Sequence, residues 1–187
     1  MPRPARRHKT AALSLAVASL FVLMGSGGCA SVTAAAPACG AVERLALVAQ
    51  SVPGSSYVPC LGVLPAGWTA ESFRATNGHS QFALASDRSG GRRVDIKLVP
   101  ACDVREATPT SPRAPGVRTY TRLRSISPRY SGMLLDVFAG GCVTYRFDFQ
   151  RGPHIALMQE FEGAVGLYPR HELSVELRKR IGVTLDP

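Results

Sequence analysis

Arg118, Tyr120, Arg122 and Arg124 stand at alternate positions in the stretch "GVRTYTRLR". Alternate residues of a strand project to one side, so the four would present three guanidiniums and a phenol together. Arg93, Lys97 and Arg146 occur in two other alternating stretches and can add to that face. Such a face suits charge-assisted hydrogen bonds to lipid phosphates, an anionic wall polymer or an acidic partner protein. The competing expectation is a solvated face on which Asp95, Asp136 and Asp148 balance the arginines, since like charges side by side repel.

Catalytic chemistry has fewer candidates. The chain holds no G-x-S-x-G, no G-x-x-x-x-G-K-[ST] and no H-E-x-x-H, the signatures of a nucleophile elbow, a phosphate loop and a zinc helix. His79 lies in the turn "ATNGHSQ" and His171 stands beside Glu172 in a first helical turn; both read as surface or capping residues. His154 follows Gly152-Pro153 and opens a helix next to a strand end, where a crevice can form. It is the one candidate base for a small extracellular hydrolase. Asp136 and Asp148 would suit paired-carboxylate chemistry if their strands were neighbours. Non-catalytic binding is the leading expectation, with no cofactor.

Five cysteines sort into one and four. Cys39, Cys60, Cys102 and Cys142 are an even set, and in an exported chain two disulfides are expected. Four cysteines allow three pairings. Cys39 with Cys60 would tie the first helix to the loop after it. Cys102 follows one strand and Cys142 begins another, so both can lie at one end of a sheet, within disulfide reach. No pair has the close spacing of zinc ligands, and no metal is expected.

Cys29 belongs to the leader. Arg3, Arg6, Arg7 and Lys9 precede an apolar run from Ala11 to Met24, and small residues follow; basic, then apolar, then small is the order of an export signal. A run of about fourteen residues is short for a helix crossing roughly 30 Å of hydrocarbon. Ser26-Gly27-Gly28-Cys29 resembles a bacterial lipobox, with Ser26 where Leu or Val usually stands, and that resemblance implies acylation at Cys29. A cut before Ser31, a cut within Ala34 to Ala36, and a retained anchor are the alternatives. Residues 1–28 are thus expected as signal peptide, 29–38 as an Ala, Ser, Thr and Pro tether, and 39–187 as one domain. Loss of the leader removes four basic residues and lowers the formal charge from +9 to +5. With export, this argues against a nucleic-acid partner. The expected location is the outer side of the cell membrane or the medium, with the membrane as a partner through the lipid.

The elements that must position these residues follow from periodicity. Val42, Leu45, Val48 and Ala49 mark a helix over 41–50, and "VPCLGVLPAGW" is expected as an apolar loop with Trp68 as a buried plug. "SQFALAS" and "RRVDIKL" alternate on either side of Ser89-Gly90-Gly91 and predict a hairpin. "DVREATPTSPRAPG" reads as a surface loop. "GVRTYTRLR" and "GMLLDVFAGGCVTYRFDF" predict three more strands, with Val143, Tyr145, Phe147 and Phe149 facing the core. Ile155, Met158, Phe161 or Glu162, and Val165 trace a helix that Gly166 loosens; Leu173, Leu177 and Ile181 trace another, begun at Pro169 and capped by Gly182. The expected fold is α+β: an antiparallel sheet of about five strands with helices on one face, a single domain with two disulfides. In "VPCLGVLPAGW" and "GGCVTYRFDF" the chain resembles secreted or lipid-anchored envelope proteins of GC-rich Gram-positive bacteria whose activity is uncharacterised. The resemblance implies location and no mechanism.

Overall fold

The computed structural model describes residues 35–91 and 93–185. The expected leader and Cys29 lie outside them. Helix α1 spans Val42–Ser51. Strands follow as β1 Tyr57–Leu61, β2 Trp68–Thr76, β3 His79–Ser86, β4 Arg93–Val99, β5 Thr108–Thr110, β6 Arg118–Ser125, β7 Tyr130–Phe138 and β8 Gly141–Phe149; then come α2 His154–Ala164, β9 Val165–Pro169 and α3 Arg170–Ile181.

The main sheet has seven strands in the order β2-β3-β4-β8-β7-β6-β5, every neighbouring pair antiparallel. The expectation of about five is therefore corrected. β2 escaped because its apolar residues, Trp68 and Phe73, are out of phase; a bulge between Glu71 and Arg74 restores both to the buried side. β5 is three residues long and contains Pro109, which an edge strand tolerates. A separate ribbon pairs β1 with β9. Residues 57–61, expected as loop, become strand because "LYP" after Gly166 offers a partner, and Pro59 is tolerated where pairing is one-sided apart from the link of Leu61 to Pro37. The α2 stripe also differs. Leu157, Phe161 and Ala164 face the core, whereas Ile155 is 76% exposed.

α1 matches its periodicity throughout and α3 at Leu173 and Leu177, whereas Ile181 at the helix end is 50% exposed. α1 buries Val42, Leu45, Val48 and Ala49, and α3 buries Leu173 and Leu177. Gly182, at φ 71°, closes α3 in the left-handed conformation. Gly90 and Gly91 both take positive φ in the β3–β4 connection. Side chains from all three helices join Phe82, Leu84, Val94, Ile96, Leu98, Val143, Tyr145, Phe147 and Phe149 in one apolar cluster. Phe161 of α2 lies 6.0 Å from the Tyr145 ring and 6.5 Å from Phe147. The result is two layers, the sheet below and the helices with the β1–β9 ribbon above.

The topology comprises two meanders. β2-β3-β4 run in sequence, the chain then crosses to the far edge, and β5-β6-β7-β8 return until β8 pairs with β4. Disulfides join Cys39 to Cys60, Cα atoms 4.9 Å apart, and Cys102 to Cys142, 5.8 Å apart. The second clamps the crossing segment at the seam, because Cys142 pairs directly with Val99 of β4. Two disulfides indicate an oxidising compartment. Among the described residues no helix is long and apolar enough to cross a membrane.

Candidate functional site

The side of the sheet away from the helices is a grid whose rows can be read from the register. One row runs Gln81, Lys97, Thr144, Leu135, Tyr120; the next runs Glu71, Ala83, Asp95, Arg146, Met133, Arg122. A third holds Val99, Cys142, Val137 and Arg118. Strand alternation thus does bring Arg118, Tyr120 and Arg122 to the face that carries Lys97 and Arg146.

It does not make them one patch. Residues 100–107 cross this face as a strap, pinned at Cys142 on β8 and again at β6, where Arg122 Nη2 donates to the carbonyls of Asp103, at 2.9 Å, and of Arg105. The line between those two anchors passes over Leu135 of β7, which is only 1% exposed although it points away from the helices. Arg122 is therefore a positioning residue for the strap. Arg118 and Tyr120 lie on one side of it, with Lys97 and Arg146 on the other. Arg124 leaves the row altogether. It is the unpaired residue of a bulge between Leu123 and Ser125, which alternation in sequence cannot reveal. Within the strap Arg105 holds Asp103 at 2.7 Å, and that hydrogen bond is the main cause lowering the Asp103 carboxyl to about 2.

The uncovered half forms a shallow basin of about 300 Å3. Ser72, Gln81, Arg93, Asp95, Lys97, Met133, Thr144 and Arg146 line it. Arg93 is neutralised by Asp95, at 2.8 Å, and approaches Glu71 at 4.0 Å. Asp148 is taken by Arg129, at 2.7 Å. Lys97 and Arg146 form no ion pair among the described residues, so two cations face the basin unneutralised. The charge of Lys97 reaches His79, whose ionisation is lowered first by burial and then by Lys97 and Arg74. Gln81, Thr144 and Ser72 were not foreseen. The first two occupy wet-face positions in strands whose alternation was legible, while Ser72 sits in the bulge of β2.

Asp136 and Asp148 do not make a carboxylate pair. Asp136 shares the helix-covered side with Leu134 and Phe138 and is fully buried, whereas Asp148 lies on the opposite side. Asp136 instead accepts from Thr119 Oγ1 at 2.7 Å, Tyr145 Oη at 2.9 Å and Arg113 Nη1 at 2.9 Å. Arg113 also donates to the carbonyls of Glu162 and Val165 at the end of α2, both at 2.7 Å. This is a satisfied buried network that locks the segment before β6 onto the helix layer.

His154 does open α2, and its ring stacks on Tyr130 at 5.6 Å. Its Nε2 is buried with no hydrogen-bond partner among the described residues. His79 bonds Thr76 at 3.1 Å, and His171 stands 3.9 Å from Glu172. No group of three or more metal-ligating side chains forms among the described residues. Compared with protein-family models, with curated proteins and with solved structures, the chain matches none.

Proposed function

We propose that the chain is an exported, non-catalytic envelope module, held at the outer membrane surface through acylated Cys29, that binds an anionic partner in the basin between β3, β4 and β8. The observation that carries this reading is the pair Lys97 and Arg146, both lining the basin and neither neutralised among the described residues. Cations left unpaired beside a concave surface supply charge-assisted hydrogen bonds to phosphate or carboxylate, each worth about 1.5–3 kcal/mol when desolvated. Arg118, beyond the strap, extends the positive field, and neither it nor the neutral Tyr120 shares the basin. The acidic members of the face are already engaged by Arg93 and Arg129, so they subtract little from that field.

The test is binding of the exported protein, disulfides intact, to anionic polymer and to anionic vesicles across a salt series. Salt-sensitive binding is expected, with Lys97→Gln and Arg146→Gln each weakening it roughly tenfold, by the charge-assisted energies above, and Arg124→Ser changing it little. Binding that survives the double variant would remove the basin from consideration. The hydrolase alternative on His154 gains nothing specific from the geometry, because its free nitrogen is buried against Tyr130 rather than presented to a cleft.

A further inference from the structure

We infer that the basin selects a phosphodiester flanked by hydroxyl groups, as in a polyol phosphate, over a bare polyanion of equal charge. This rests on the anion-binding reading above and adds to it the chemistry of the ligand between its charges.

The grid supplies the argument. Lys97 is flanked across the sheet by Gln81 on β3 and Thr144 on β8, and Ser72 closes the same basin from β2. An amide and two hydroxyls each donate and accept. Arg146 is flanked by Asp95 and Met133. Asp95 accepts only, and Arg93 engages one of its oxygens, which leaves acceptor capacity turned toward the basin. A chain of phosphates offers acceptors alone, so it leaves the second oxygen of Asp95 without a donor and half the capacity of Gln81 and Thr144 unused. A ligand hydroxyl donates to Asp95 or Gln81 and accepts from Thr144 while its phosphate lies between Lys97 and Arg146. Those two residues are diagonal neighbours across β4 and β8, about 7–8 Å apart at the backbone, so both side chains can reach one phosphate. A volume of about 300 Å3 is at the small end of ligand cavities, roughly 300–1,000 Å3, and suits one or two repeat units rather than a folded partner.

Calorimetric titration of the exported protein with poly(glycerol phosphate), and with inorganic polyphosphate at equal phosphate concentration and ionic strength, tests this. At least tenfold tighter binding of the polyol phosphate is expected. Gln81→Ala combined with Thr144→Val should bring the preference below threefold by weakening the polyol phosphate more than polyphosphate, Thr144→Ser should retain it, and Lys97→Gln should weaken both ligands. Equal affinity for the two polymers, lost in Lys97→Gln, overturns this inference and leaves the anion-binding reading standing. No binding of either polymer or of the anionic vesicles below, or binding indifferent to Lys97→Gln, overturns that reading itself. Vesicles of phosphatidylglycerol set against vesicles of phosphatidic acid, each in phosphatidylcholine, carry the same chemistry on a lipid. Preference for phosphatidylglycerol without binding of the soluble polymer upholds the selectivity and assigns its source to a head group.

Discussion

Asp136 shows how one residue can mislead when read by type and be explained by its neighbours. A fully buried carboxylate is costly unless every side is satisfied, and here Thr119, Tyr145 and Arg113 satisfy it. Replacing Arg113 by alanine leaves that charge without its cation, which should cost about 3–5 kcal/mol in denaturant unfolding. Tyr145 gives the pH signature. Burial pushes its phenol well above the ordinary 10, so the unfolded chain releases the proton first. The stability tied to this protonated phenol is full below about pH 10 and declines as pH rises beyond it. Tyr145→Phe should lose about 1–3 kcal/mol at pH 7 and fall less steeply than the parent between pH 9 and 11. An identical alkaline slope in parent and variant would refute this role. The wrong side assigned to Asp136 was avoidable, since it shares strand parity with Leu134 and Phe138. Arg113 was not findable, because it reaches Asp136 from a proline-rich segment with no periodicity.

At the scale of elements, the strap decides what the positive face can be. Alternation placed Arg118, Tyr120 and Arg122 correctly, yet a segment that looked like a free surface loop crosses between them and the basin. The cysteines carried part of that information, because a Cys102–Cys142 bond requires the chain after β4 to stay over β8. The β2 bulge, the β1–β9 ribbon and the termination of α2 depend on partners distant in sequence, which local pattern does not encode. Replacing Cys102 and Cys142 by serine opens a closure of 40 residues and should lower stability by about 2–4 kcal/mol. Amide exchange should then rise first over residues 100–107 and least in β2 and β3; uniform acceleration throughout the sheet would show that the bond braces the whole fold rather than the crossing.

For the whole molecule, fold class, the side covered by helices and both disulfides were legible because export, alternation and cysteine number are properties of the entire chain. The proposed partner chemistry was not, because the proposal rests on which cations remain unneutralised once the strands are in register. The proposed tether makes a global prediction: intact mass of membrane-recovered protein should show an N-terminus at Cys29 with a lipid increment, and four cysteines alkylated only after reduction. An unlipidated start after Ala30, or a mass retaining Met1, would discard it. The two bonds join first to second and third to fourth of the paired cysteines, 39 with 60 and 102 with 142. A chain emerging from its N-terminus through a translocase therefore meets an oxidase with the correct partner always the next thiol out. Once the first pair has closed, Cys102 has only Cys142 to wait for, provided that acylation has withdrawn Cys29. If the chain is exported unfolded and N-terminus first, its oxidative maturation would need an electron acceptor, and the order of appearance would favour the native pairs without the shuffling that interleaved bridges require.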